Sequence, residues 1–229
     1  MATSGTATFD PNIAEITEEA FERAGIELRT GYDLRTARRS LNMLTIEWAN
    51  RGINLWTVNQ GTVAMVSGTS NYALPADTID LLEHVIRTGS GTDQQDYFIT
   101  RVSVATWANI SNKNSTGRPV EVYIDRQQAA PEVNVWPVPD QSSTYTLVYW
   151  RLRRVEDAGT GGTNTMDIPW RFVPALAAGL AYQIGLKHPE VAARLPTLKA
   201  EYDLQFQLAS EEDRDKSTLR LIPNMRGYA

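Results

Sequence analysis

The sequence predicts an α+β chain: an antiparallel four-helix bundle, an inserted antiparallel β-sandwich or barrel-like module, and an extended C-terminal tail. Three observations carry this. Apolar residues recur at helical spacing up to Arg51, the period falls to two from Ile53 to about Val155, and helical spacing returns beyond the glycine-rich stretch Gly159–Thr163. Two helices on each side of a β block make the block an insertion into a bundle. The expected divisions are 1–52 for the N-terminal helical hairpin, 53–158 for the β module, 159–216 for the closing helices and 217–229 for the tail.

The first helix is expected to start at Asp10-Pro11, a side-chain acceptor followed by a residue with no amide to satisfy. Ile13, Ile16, Ala20 and Ala24 then form one stripe with Phe21 at its flank, and Glu15, Glu18, Glu19 and Glu22 fall largely opposite. Gly25 closes the helix. Thr30, with Asp33 three residues on, offers a second cap. Leu34, Ala37, Leu41, Leu44 and Trp48 step by three and four along the helix that follows, and Arg51-Gly52 supplies a cation and a left-handed residue at its end.

In the β block the expected strands are Thr62–Val66, Leu81–Arg87, Val120–Asp125, Glu132–Trp136 and Thr144–Arg153, parted by Gly-, Asn- and Pro-rich turns, with a short helix at Val102–Ile110. Tyr145, Leu147 and Tyr149 alternate as core residues, whereas the prolines around Trp136 place it near a sheet edge. The stretch Met166–Glu190 reads as a thin helix. Pro174 forces a kink or a restart there, and Ala175, Ala177, Ala178, Gly179, Ala181 and Gly185 allow close backbone approach at a bundle centre or a subunit interface. Pro196 opens a long last helix. The closing STLRLIPNMRGYA is broken by Pro223 and Gly227 and has the form of a segment that hooks onto a neighbour.

Composition narrows the chemistry. In 229 residues, 22 basic against 27 acidic side chains leave a net charge of −5, which argues against a protein whose main task is gripping DNA through counterion release. There is no cysteine, so disulfides and thiolate metal sites are excluded. The N-terminal MATSGTATFD has neither the basic start nor the apolar run of a signal peptide, and no apolar stretch approaches the roughly 20 residues a membrane helix needs. The glycine clusters at 89–92 and 159–162 lack the following Lys-Ser or Lys-Thr of a phosphate cradle and read as turns. His84 and His188 stand apart, with no metal-ligand spacing around them. Glu18-Glu19 and Glu211-Glu212-Asp213 lie on solvated helix faces, where nothing would raise a carboxyl pKa toward acid catalysis. Arg151, Arg153 and Arg154, followed by Glu156 and Asp157, suit a salt bridge or a subunit contact better than nucleic acid.

Six segments, taken in order, resemble the head-to-tail adaptor (head completion or DNA stabilisation) proteins of tailed, especially short-tailed, bacteriophages. They are YALPADTIDLLEHVIR (72–87), RPVEVYIDRQ (118–127), VNVWPVPD (133–140), YTLVYWRLRRVEDAG (145–159), MDIPWRFVPALAAGLAYQIGLKHPE (166–190) and EEDRDKSTLRLIP (211–223). The resemblance implies a structural virion protein of the neck with no enzymatic role and no cofactor. It implies a homo-oligomeric ring, usually of twelve copies, that sits beneath the portal ring, extends the channel through which double-stranded DNA passes without sequence-specific binding, retains the packaged genome and receives a downstream tail or nozzle protein. Assembly in the host cytoplasm and location at the head–tail junction follow, with no membrane partner. The family's portal contact is a C-terminal extension, here Ser217–Ala229. Leu219, Leu221 and Ile222 would be its apolar anchors, and Arg214, Lys216, Arg220 and Arg226 would face an acidic portal surface. Ala175, Ala178 and Gly179, with Arg151, Arg153 and Arg154, are the expected subunit contacts. Two other readings stay open: a carbohydrate-binding or adhesion module built on the β-block aromatics, and a cell-wall hydrolase built on the acidic pairs.

Overall fold

The computed structural model describes residues 5–29, 31–53 and 55–213. The chain divides into two compact units, one from Met1–Leu55 with Asp157–Ala229 and the other from Trp56–Glu156. The described residues form two four-stranded sheets and five α-helices.

The first unit is helical. α1 spans Ile13–Ala24, and its cap is Asn12 rather than the expected Asp10. Asn12 Oδ1 accepts from the Glu15 amide (3.0 Å) while Glu15 Oε2 accepts from the Asn12 amide (2.8 Å), so two donors are satisfied reciprocally. Asp10 has no acidic or amide partner three residues on to offer that exchange. The amides of Ile13 and Ala14 donate to the carbonyls of Asn164 (2.8 Å) and Gly162 (3.0 Å), so the glycine-rich return seals the start of α1. Gly25, at φ 79°, ends the helix in the left-handed conformation.

α2 spans Gly31–Asn50 and buries Ala37, Leu41, Leu44 and Trp48; Leu34, expected in the same seam, is half-buried. The expected cap Thr30 lies outside the described residues, and Asp33 accepts from the Arg29 amide at 3.2 Å. Gly52, at φ 81°, donates to Ala49 and stops the helix.

After a 3-10 turn at Trp170–Phe172, α4 spans Val173–Gly185 with Pro174 in its first turn, so the helix restarts there instead of kinking. A second 3-10 segment, Pro189–Arg194, leads into α5, Leu195–Glu212, which Pro196 opens as expected. α4 is the common partner: α1, α2 and α5 all pack on it. Trp48 knits α2 to the later elements, with its ring 5.4 Å from Phe172 and 5.9 Å from Phe206 and its indole N–H donating to Tyr202 Oη at 3.0 Å.

The second unit holds β1 (Val58–Ala64), β2 (Asn71–Ala73), β3 (Thr78–Thr88), β4 (Gln95–Phe98), β5 (Thr100–Arg101), α3 (Val104–Ala108), β6 (Glu121–Asp125), β7 (Glu132–Trp136) and β8 (Tyr145–Arg153). One sheet runs β1-β8-β3-β4 and the other β2-β7-β6-β5. The pairing is not wholly antiparallel: β5 runs parallel to β6, with Thr100 opposite Glu121. Between them the chain crosses over through α3, and a parallel pair needs such a crossover. Both sheets contribute side chains to one buried cluster, including Leu81, Ile86, Tyr145, Leu147 and Tyr149 from the first and Tyr72, Val122, Ile124, Val133 and Val135 from the second. Gly61 is required by that packing, because a Cβ there would fall 2.5 Å from Tyr149 Cζ.

Candidate interaction surfaces

The expected subunit contacts separate once the chain is folded. Ala175 and Ala178 are buried, and a Cβ on Gly179 would lie 2.8 Å from Leu44 and 2.9 Å from Tyr202 of the same chain. These small residues therefore set the spacing of α4 against α2 and α5, and they have no surface to offer a neighbour. Arg151 is also engaged internally. Its Nη1 donates to Asp77 Oδ1 (2.5 Å) and Thr78 Oγ1 (2.9 Å), and that bond holds the Asp77 carboxyl below the usual carboxylate range. Arg153 is half-buried and donates to the Arg154 carbonyl at 3.1 Å, whereas Arg154 is exposed. Of the three arginines, Arg154 presents most surface. A second basic group joins the two sheets, where Asp80 accepts from Arg101 (2.9 Å) and from Arg126.

The tail residues Arg214, Lys216, Leu219, Arg220, Leu221, Ile222 and Arg226 lie outside the described residues. The residue just before them is fixed: the Asp213 carboxylate is 1% exposed and paired with Arg171. Asp213 Oδ2 and Arg171 Nε are buried there with no hydrogen-bond partner.

Solvent-facing stripes, which sequence periodicity alone did not separate from ordinary polar surface, are more informative. On α2 the side opposite the buried seam carries Tyr32, Arg35, Arg39, Met43 and Ile46, all exposed. On α5 the corresponding side carries Thr197, Ala200, Leu204, Leu208 and Glu211, again all exposed. The signal was available in the sequence, because both stripes step by three and four, but only the buried seams say which way each helix faces.

The β unit has an open cavity of about 470 Å3 lined by Thr106, Asn109, Asn112, Ser115, Glu121 and Trp136, among others. Trp136 is half-buried, and its indole N–H is already given to the Asn112 carbonyl at 3.0 Å. Trp107 stacks on Tyr123 at 5.7 Å. Tyr145 and Tyr149 are core residues, as expected.

The two histidines fall in separate units. His84 sits buried in β3, where desolvation pushes its imidazole below the ordinary value, with Arg101 adding to the effect. His188 belongs to the helical unit and meets Glu190 at 3.0 Å. Glu18 is exposed and Glu19 pairs with Arg23. Among the described residues no group of three or more His, Asp or Glu is placed to hold a metal ion, and no helix is long and apolar enough to cross a membrane.

Comparison with known proteins gives one decisive likeness. No curated protein matches the sequence. A solved structure titled "Neck of empty GTA particle computed with C6 symmetry" aligns with 95% of this chain and 96% of its own, at 11% identity and a TM-score of 0.26, a likeness too loose to build on. The family model described as SU10 adaptor protein matches residues 11–223, which takes in both units. The chain belongs to the SU10 adaptor family, the head-to-tail adaptors of phage-like particles.

Proposed function

We propose that this protein forms a ring, of twelve copies, beneath the portal ring of a virion, extending the DNA channel, retaining the packaged genome and presenting the attachment site for a tail or nozzle protein. The observation that carries the reading is the match to the adaptor family across residues 11–223, which takes in both units. The role is structural rather than enzymatic. Glu18, Glu19, Glu211 and Glu212 are exposed on helix faces, whereas Asp213, expected on such a face, has its carboxylate buried against Arg171.

Within this reading α1, α2, α4 and α5 act as a four-helix bundle, and the two sheets act as a β-sandwich inserted in its sequence; their shared buried cluster supports the second description. The working divisions are those read from the periodicity, 1–52, 53–158, 159–216 and 217–229, and the compact units part within a few residues of the first two limits, after Leu55 and after Glu156. The portal contact is residues 217–229, with Leu219, Leu221 and Ile222 in apolar pockets and Arg214, Lys216, Arg220 and Arg226 facing acidic portal side chains. The pairing of the half-buried Arg171 with the buried Asp213 carboxylate supports this by anchoring the chain where the tail begins. Arg154 is left for a neighbouring subunit. A net charge of −5 also suits a conduit, since a channel lined with cations would hold DNA by salt-dependent contacts.

The test is deletion of residues 217–229. The truncated protein should keep the circular dichroism of the full chain and lose attachment to the purified portal of the same particle, scored by particle class averages. Full ring occupancy on the portal without the tail would move the docking role to the helices.

A further inference from the structure

The outward face of α2 carries the wrong residues for a solvated face. A surface helix ordinarily turns charged and polar side chains outward. The outward stripe of α2 is Tyr32, Arg35, Arg39, Met43 and Ile46, at steps of three, four, four and three, directly opposite the buried Ala37, Leu41, Leu44 and Trp48. Met43 is 59% exposed and Ile46 51%. Tyr, Arg and Met are residues enriched in the cores of protein interfaces, where Lys, Glu and Asp are depleted. The stripe contains neither an acid nor a lysine.

We infer that this stripe docks, antiparallel, on the outward stripe of α5 in a second copy of the chain. The two stripes match in reversed order. From Ile46 back to Arg39 and from Leu204 forward to Glu211 are equal spans, each about 10.5 Å at 1.5 Å per residue. Antiparallel packing thus sets Ile46 on Leu204, Met43 on Leu208 and Arg39 on Glu211. Parallel packing would bring Arg39 onto Leu204 and Ile46 onto Glu211. Among its contacts Glu211 accepts from Gln207 Nε2 at 2.9 Å, and the roughly four acceptor sites of a carboxylate admit a further donor.

The contact uses two different surfaces of each copy, so it is heterologous: every subunit offers α2 on one side and α5 on the other, and the contact repeats until it closes. It deepens the ring reading above and rests on it. It also replaces the small residues of α4 as the lateral interface, since those are covered within the subunit.

Because the chain has no cysteine, disulfide trapping reports the contact cleanly. The full-length double variant Ile46→Cys with Leu204→Cys, oxidised with copper phenanthroline at high protein concentration, should give a ladder of covalent oligomers on a non-reducing gel. Each single variant can give at most a dimer. Adding Arg39→Glu should cut the ladder at least tenfold, and adding Glu211→Arg to that should restore it. Monomer alone, dimer alone, or a ladder indifferent to both charge reversals overturns the contact. Mixing the same variants with the purified portal separates the two readings. Full rings with no ladder refute the α2–α5 contact and leave the ring; a ladder with no ring on the portal refutes the ring and leaves the contact. Loss of portal attachment by Arg39→Glu in the absence of any ladder would assign the α2 stripe to the portal instead, and the contact would again be wrong.

Discussion

Replacing Gly179 by alanine tests whether one missing side chain sets the spacing of the helical unit. The added Cβ would stand 2.8 Å from Leu44 Cδ2 and 2.9 Å from Tyr202 Cε2, against an optimum of about 3.5–4.0 Å for carbon pairs. Neither neighbour yields easily. Leu44 is fully buried, and Tyr202 is held by the Trp48 indole at 3.0 Å. Overpacking of this kind costs about 1–3 kcal/mol. Alanine recovers about 1 kcal/mol of helix propensity, because Gly179 sits in mid-helix with no left-handed φ to preserve. The net is a loss of about 1 kcal/mol, or roughly 2–4 °C in Tm for a chain of this size.

A double-mutant cycle sharpens the argument. Leu44→Ala alone should cost about 2–5 kcal/mol through the cavity it leaves. With Gly179→Ala beside it the new methyl occupies part of that cavity, so the pair should be more stable than the sum of the singles by about 1 kcal/mol. Urea unfolding followed by far-UV circular dichroism reads the helical unit directly. A stabilised Gly179→Ala, or effects that add to within about 0.5 kcal/mol, would show that α4 is not held at contact distance and refute the packing assignment.

Three further outcomes follow from the buried and paired polar groups. Burial holds the His84 imidazole below its ordinary value, so its share of stability is present above its unfolded value of about 6.5 and is lost as pH falls below it; His84→Leu should flatten the stability profile there, as urea midpoints across that range would show. Asp77 has the sign of a depressed carboxyl, with stability present above about pH 4 and lost as pH falls through its folded value. Asp77→Asn should cost at most about 1 kcal/mol at neutral pH, since the carboxylate is 45% exposed, and its thermal midpoint should converge with the parent's in acid. Burial pushes the Tyr202 phenol up to about 12, so an alkaline absorbance titration should show it ionising last; Tyr202→Phe leaves the Trp48 N–H without its acceptor and should cost about 1–3 kcal/mol by urea unfolding.

The sequence by itself determined the elements whose signal is local and repeated. The seam Ala37, Leu41, Leu44 and Trp48 is buried as its spacing requires, and Pro196 opens α5 because proline tolerates only the first turn. Glu132–Trp136 and Tyr145–Arg153 carry enough alternation to mark their strands to within a residue. The cap of α1 was missed because Asn12 and Glu15 bond reciprocally, a stronger arrangement than the Asp-Pro signal preceding it. β2, β4 and β5 were missed because two to four residues carry no measurable period; their neighbours in the sheet hold them extended.

Tertiary structure alone decided which side chains each surface presents. Composition made α4 thin, but whether thinness serves the interior or a neighbour depends on what covers it, and Leu44 and Tyr202 come from more than 20 residues away on either side. Arg151 reads in the sequence as one of three like cations; Asp77, distant in sequence, separates it from Arg154 by taking it into an ion pair. The outward stripes of α2 and α5 carry the same three-four spacing as their seams, and only the packing of both helices on α4 shows which stripe each turns outward. Periodicity is a property of neighbours along the chain, whereas an interface belongs to groups the chain brings together from afar.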